Sequence, residues 1–396
     1  MDVQSLTHAS AFLRSAHPHA GDVESPAPLA GGPLRLRILY VGDLAAGATS
    51  LQRLHAFQDL GCEVAAIDTP YSRSRWGSLG AKGTGLGPVR TLWERVRRRL
   101  RGPRDWTAAN RQIAEWSGRS AFDAVWIDKG LTITAETLRQ VKVVQPHCQI
   151  LGFSPDDMYQ RHNQSPQFRA HLTLYDCFFT TKSFGVAELQ TIGCPRVVFQ
   201  DNGFDPHTHR PLALSDAERA AHGGPVGFVG SWEQARADSI RHLAAAGVPV
   251  RVWGTRWASQ CAPHPNLRID SRELPGLDYT RALNSFDINL CFLRKLNRDL
   301  QTTRSVEIPA CGSFMLAERT DEHLMLFREG VEAEFFGSND ELLDKVRYYL
   351  AHPEVRARVA AAGRERCLRG RYSYRERILD MLTAAGLVRS DAAAQS

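Results

Sequence analysis

The sequence predicts an α/β protein of two Rossmann-like, doubly wound domains facing a cleft, on three observations. Short, near-continuously apolar runs alternate with helical patterns, as in parallel sheets covered on both faces by helices. That rhythm occurs twice, on either side of a turn-rich stretch at residues 201–212. The 396 residues also suffice for roughly two to three domains of ordinary size.

Residues 1–33 combine Ala, Pro, Gly, Ser and His without a continuous apolar stretch, and read as a disordered leader, not a secretory signal. The first domain is expected over residues 34–205. Leu36-Arg37-Ile38-Leu39-Tyr40-Val41 is its first strand and ends in Gly42-Asp43. A helix over 51–60 stops at Gly61, and Val64–Asp68 is the next strand, which completes a βαβ unit. Further buried strands are expected at 124–127, 149–153, 177–180 and 196–200. The second pass, residues 206–373, starts with a strand at 226–229 ending in Gly230 and a helix at 235–245. Strands at 248–252, 288–292 and 314–316 follow, and helices run from 340 to 387. Asn202-Gly203 and Pro206 to Pro211 mark the linker.

Composition excludes several classes. Hydrophobic residues make up 43% and charged residues 23%, which argues against disorder or a fibrous repeat. The net charge of +6 is concentrated in seven arginines between Arg90 and Arg104 against the single acid Glu94, a patch unlike the field of a dedicated nucleic-acid binder. No stretch approaches the ~18 apolar residues of a bilayer-spanning helix. The eight cysteines are scattered without a C-x-x-C pair, which fits reduced thiols in a cytoplasmic protein better than disulfides or zinc. Leu92 to Arg101 reads as a basic amphipathic helix. Contact of Arg95–Arg101 with an anionic membrane face, an ordinary solvated helix and a grip on an anionic acceptor stay open as readings.

The most specific segment is Asn297–Glu334. Glu307-Ile308-Pro309-Ala310-Cys311-Gly312 resembles the Glu-Ala-small-Ala-x-Gly segment behind the donor site of retaining GT-B glycosyltransferases. Arg304 to Phe314, followed by Glu318 to Glu322, resembles the CgeB-type (spore-maturation-like, glycosyl transferases group 1) family. Val125–Gly130, Ser154–Asp157, Tyr175-Asp176, Thr180–Lys182 and Phe228–Trp232 fit the same resemblance, which spans roughly residues 35–385.

The resemblance implies a glycosyltransferase that moves a sugar from a nucleotide-diphosphate donor to a hydroxyl of a glycan, lipid-linked or protein acceptor in cell-surface glycan assembly. It implies no cofactor and no metal, and a last helix, 374–388, that crosses back onto the first domain. Glu307 would accept the ribose hydroxyls, which suits a carboxylate; a helix-capping role is the alternative. Asp299, eight residues earlier, stands where a glutamate is usual and would touch the donor sugar, or sit solvated in a loop.

Diphosphate binding would fall to Gly230, Ser231 and Arg236, which open a helix, together with Arg304. No G-x-x-x-x-G-K-[ST] sequence occurs, so a P-loop is excluded. Trp253-Gly254 or Trp257 would receive the base, against the alternative of core packing for one indole. On the acceptor side lie Gly42, Asp43 and Lys129, with Asp157 or Asp156 as the base. The two aspartates could otherwise hold Mg²⁺ or cap a turn, and Lys129 could pair with Asp128 or Asp156. His207-x-His209 has metal-pair spacing but reads as a hinge loop. The rival functions are a nucleotide-sugar epimerase and a catalytically silent nucleotide-sugar- or carbohydrate-binding protein.

Overall fold

Two six-stranded parallel sheets carry the structure. The computed structural model describes residues 32–70 and 102–389, and the described residues from Leu34 onward belong to one compact unit. The leader and the basic segment Arg95–Arg101 lie outside the described residues. In the first sheet the strands are β1 (Arg37–Gly42), β2 (Glu63–Asp68), β3 (Ala124–Asp128), β4 (Gln149–Ser154), β5 (Cys177–Thr180) and β6 (Val197–Phe199), in the order β2-β1-β3-β4-β5-β6. Those of the second are β7 (Gly224–Val229), β8 (Val250–Trp253), β9 (Leu267–Asp270), β10 (Phe286–Cys291), β11 (Met315–Glu318) and β12 (Glu334–Phe336), in the order β12-β11-β10-β7-β8-β9.

Each sheet is buried because helices cover both faces, which is why its strands read as apolar runs. Leu39, Val125, Ile150 and Phe178 are fully enclosed in the first core; Val226, Val252, Ile288 and Leu316 are enclosed in the second. The strand order reverses between β1 and β3 in the first sheet and between β7 and β10 in the second. Loops leaving adjacent strand ends there diverge to opposite faces and leave a crevice, the usual ligand position in such sheets.

The chain crosses between the domains twice, at neighbouring points. Phe204 N–H donates to Tyr372 O (3.1 Å) and Tyr374 N–H donates to Phe204 O (2.8 Å). There Ser373 opens the helix Tyr374–Ala384 with a capping box to Glu376. This helix packs on Thr49–Asp59 of the first domain, where the Arg53 guanidinium lies 5.6 Å from the Tyr374 ring. The eight cysteines are all buried and unpaired. Among the described residues no helix is long and apolar enough to cross a membrane.

A charge network closes the far edge of the second domain. Arg319 Nε donates to Glu329 (3.1 Å) and Nη1 to Glu341 (3.0 Å), and Lys345 pairs with Glu329 and Glu334 at 2.9 Å each. Hydrogen bonding from Arg319, then Lys345, pulls the Glu329 carboxyl from 4.5 to about 2 and holds Glu341 well below its usual value. A depressed carboxylate contributes stability above its unfolded pKa that fades as pH falls through the folded one. Acid unfolding should therefore steepen between about pH 4.5 and 2, and Glu329→Gln should flatten that slope in chemical denaturation. At pH 7 the same change should cost no more than about 1 kcal/mol, because the groups are partly solvated.

Candidate functional site

A cavity of about 760 Å³ opens at the reversal point of the second sheet and is walled by both domains. The loop after β7 supplies Ser231 to Arg236, the segment after β10 supplies Arg294 to Asn297, Asp299 and Thr302 to Arg304, and the first domain supplies Pro155, Asp156, Lys182 and Asn202. Leu296 sits at the mouth with more than half its surface exposed.

The loop after β7 is built on a close backbone approach. Gly230 N–H donates to Trp253 O (2.8 Å) and Trp232 N–H to Thr255 O (3.1 Å). Gly254 has φ 147°, and a Cβ on it would meet Gly230 O at 2.1 Å, so only glycine lets the loops after β7 and β8 meet. Gly230 and Gly254 thus shape the cavity wall without lining it. The loop runs into the helix Gln234–Ala245, from which Arg236 returns to donate through Nη1 to Ser231 O (3.0 Å).

Arg236 and Arg304 form the electropositive heart of the site. Both line the cavity, both lie within 6 Å of the Phe228 ring (5.5 and 5.8 Å), and the Nε of each is buried without a hydrogen-bond partner. Burial first, then the like charge of Arg304, lowers the Arg236 pKa to about 10. Glu233 offsets this incompletely, at 3.7 Å from Arg236 and 3.2 Å from Arg294. Arg256, in a left-handed turn, places its guanidinium 5.3 Å from the Trp232 ring. Buried N–H groups of cations left without acceptors are costly unless an anion meets them.

On the opposite wall acids and amines alternate. Lys129 pairs with Asp156, and Lys182 Nζ lies 2.7 Å from Asp299 Oδ1. Asn297 Nδ2 bridges the two acids, donating to Asp299 (2.9 Å) and Asp156 (3.3 Å). Burial alone would raise the Asp156 pKa, but Lys129, with Lys182 and Arg294 behind it, holds it below the usual value. Asp156 and Asp299 both line the cavity.

Several expected residues sit elsewhere. Asp157 is buried outside the lining; its carboxylate accepts from Arg298 Nε (2.7 Å) and Tyr159 N–H (3.2 Å), which occupies it with structural bonds. Trp253 was expected at a base, yet it is core: its indole N–H donates to His222 O (2.9 Å) and Arg251 and Arg272 lie 4.4 and 4.8 Å from its ring. Trp257 is fully enclosed and donates to Gly230 O (2.8 Å). The tryptophan that lines the cavity is Trp232, which sequence reasoning passed over although it follows Gly230-Ser231 directly.

Glu307, expected at the ribose, is buried and outside the lining. It accepts from Tyr279 OH (2.8 Å) and has His209 Nε2 at 3.8 Å. Gly42 and Asp43 flank the reversal point of the first sheet, also outside this cavity. A Cβ on Gly42 would meet Tyr40 at 2.9 Å, and beneath it Asp128 is held by Tyr40 and by Arg53 (2.8 Å). Of the candidate metal pairs, Asp156 and Asp157 are each taken by a cation. His207 Nε2 faces Asp59 (2.9 Å), whereas His209 Nδ1 accepts from Asp205 N–H (3.1 Å). Among the described residues no cluster of three or more His, Cys, Asp or Glu could hold a metal ion.

Comparison with known proteins agrees with this architecture. Residues 235–383 match a family model described as glycosyl transferase-like. No curated protein matches the chain in sequence. HepE from Anabaena, solved in complex with UDP-glucose, superposes with a TM-score of 0.56 at 12% identity, over 88% of this chain and 100% of its own. Sucrose-phosphate synthase from Thermosynechococcus elongatus does so with a TM-score of 0.56 at 12% identity, over 91% and 100%. A putative UDP-N-acetylglucosamine 2-epimerase from Listeria monocytogenes gives 0.51 at 10%, over 90% and 98%. The fold is therefore GT-B, and at these identities the likeness is one of fold.

Trp253→Phe should lower stability by about 1 kcal/mol in denaturant titration, because His222 O loses its donor. Ligand affinity at the cavity should stay unchanged, in contrast to substitutions at Trp232.

Proposed function

We propose that the protein is a metal-independent glycosyltransferase that takes a nucleotide-diphosphate sugar in this cavity and transfers the sugar to an acceptor hydroxyl. The observation that carries the reading is the pair of cavity-lining guanidiniums, Arg236 and Arg304, each with an unpartnered buried Nε at the sheet reversal of a GT-B fold. A diphosphate is the anion whose two charged groups match two adjacent guanidiniums. Trp232 and Arg256, on the same wall, are the proposed base contacts in place of Trp253. UDP is the first nucleotide to try, since HepE was solved with UDP-glucose.

Catalysis in this reading rests on charge. As the bond to the sugar breaks, negative charge grows on the diphosphate, and Arg236 and Arg304 meet it without reorganising. Asp156 is the proposed base in preference to Asp157, because it lines the cavity. Its depressed pKa keeps it ionised through the physiological range, so it accepts the acceptor proton only as that hydroxyl becomes acidic during attack. Asp299 stands beside it, steadied by Lys182 and positioned for the donor sugar. Glu307 is assigned a supporting part, tying the helix that carries Arg304 to the helix Leu277–Ser285 through Tyr279, with His209 of the inter-domain linker at 3.8 Å. The acceptor is a glycan, a lipid-linked saccharide or a protein, with a cell-surface conjugate the expected product.

Thermal melting with UDP, GDP, dTDP and CMP, with and without their sugars, tests the donor site. A ligand at 100 times its dissociation constant adds about 2.7 kcal/mol, a clear rise in Tm. Arg304→Ala and Arg236→Ala should each weaken nucleotide-diphosphate binding roughly 10- to 150-fold, the worth of a hydrogen bond to a charged group. No stabilisation by any nucleotide, in protein that melts cooperatively, would overturn the assignment.

Asp156→Asn should lower turnover by about 10²- to 10⁴-fold while donor affinity stays within a factor of about three. Between pH 5 and 8 the wild-type rate should show no acid limb from this group, since it titrates below that window. Chelation by EDTA should leave the rate unchanged, and a rate lost with the metal would sink the charge-only account.

A further inference from the structure

The loop that lines the cavity between β10 and the helix Arg304–Ala310 is held by residues that face the other domain. Arg298 sits in it with φ 49°, a left-handed conformation that a non-glycine residue adopts only when its surroundings enforce it. Its guanidinium forks onto Glu188 of the first domain, Nη1 to Oε1 at 2.9 Å and Nη2 to Oε2 at 2.6 Å, while Nε donates to Asp157 (2.7 Å). The Phe184 ring lies 4.4 Å from it. Arg298 itself does not line the cavity, yet Asn297 and Asp299 on either side do. Asn297 Oδ1 accepts from Asp157 N–H (3.0 Å) and Asn163 Nδ2 (2.9 Å), and Asp299 meets Lys182. Each polar side chain of the run Asn297-Arg298-Asp299 therefore makes at least one polar contact with the first domain.

We infer that Asn297-Arg298-Asp299 is an inter-domain clasp, and that Arg298 is a positioning residue through which docking of the first domain sets nucleotide-diphosphate affinity in the second. The affinity half rests on the function proposed above; the clasp does not. With the fork in place, Asp299 and Arg304 are presented to the cavity from a fixed loop. Without it, the left-handed residue keeps only local backbone bonds, Arg298 N–H to Lys295 O (3.0 Å) and Asp299 N–H to Arg294 O (3.2 Å), and the loop is freer to relax. A lysine at 298 keeps the charge but makes no bidentate fork, so Arg298→Lys should restore only part of the effect.

The test is calorimetric affinity for UDP, or for whichever nucleotide stabilises the protein, in wild type, Arg298→Ala, Arg298→Lys, Glu188→Ala and the Arg298→Ala/Glu188→Ala pair. An inter-domain distance distribution is measured alongside it, from spin labels on Arg139→Cys and Arg241→Cys, both exposed positions on separate domains. The expected result is affinity about tenfold weaker in Arg298→Ala, an intermediate value in Arg298→Lys, and no further loss in the pair relative to Arg298→Ala. The distance distribution should broaden in both alanine variants while cooperative melting persists. Unchanged affinity and an unchanged distribution in Arg298→Ala would overturn the inference. If wild type binds no nucleotide, the function proposed above fails instead, and the distance measurement alone decides the clasp: broadening supports it and an unchanged distribution overturns it.

Discussion

Two like charges are pressed into one wall of the inter-domain cavity. Arg236 and Arg304 both lie within 6 Å of the Phe228 ring, each keeps a buried Nε without an acceptor, and Glu233, the acid paired with Arg236, also serves Arg294. The fold tolerates that arrangement because both residues begin helices from loops anchored elsewhere. Gly230 and Gly254 lock one loop by direct backbone contact, and the Asn297–Asp299 run anchors the other. Glu233 relieves the repulsion there only in part, and an anion entering the cavity would relieve more of it. In the function proposed above, the same feature that weakens the empty site favours a doubly charged ligand.

Opposite that wall the domains meet through polar contacts instead of an apolar seam. Lys182 with Asp299, Arg298 with Asp157 and Glu188, Ser183 with Glu322 (2.6 Å) and Asn202 with Gln301 (3.0 Å) all join one domain to the other. Such contacts fix an orientation when aligned and cost little to part, because water replaces them. In the function proposed above, such a joint would let the cleft admit and release its substrate.

Much of the fold was legible because parallel strands sheathed by helices must be apolar along their whole length. The strands that escaped notice are β9 and β12, the two edges of the second sheet, where one side lacks a neighbour. Leu267-Arg-Ile-Asp alternates in polarity, and Glu334-Phe-Phe is too short to carry a pattern. At the site, the cations and small residues expected after strand ends, Ser231, Arg236 and Arg304, do line one cavity. Which member of a pair faces the cavity was not legible. Asp156 and Asp157, or Trp232 and Trp253, differ only in where the backbone aims them. Glu307 shows the same limit: its neighbours in sequence pointed to a ligand, but its nearest polar atoms belong to Tyr279 and His209.

The helix Tyr374–Ala384 has a consequence for how the chain is made. It buries Ile378, Met381 and Leu382 and packs against Thr49–Asp59, more than 300 residues upstream. During synthesis the first domain therefore emerges from the ribosome with one flank uncovered, and it stays so while the whole second domain is translated. At about 5–20 residues per second that interval lasts on the order of 10–35 s. Until then the flank leaves an apolar surface uncovered, and the last helix closes it.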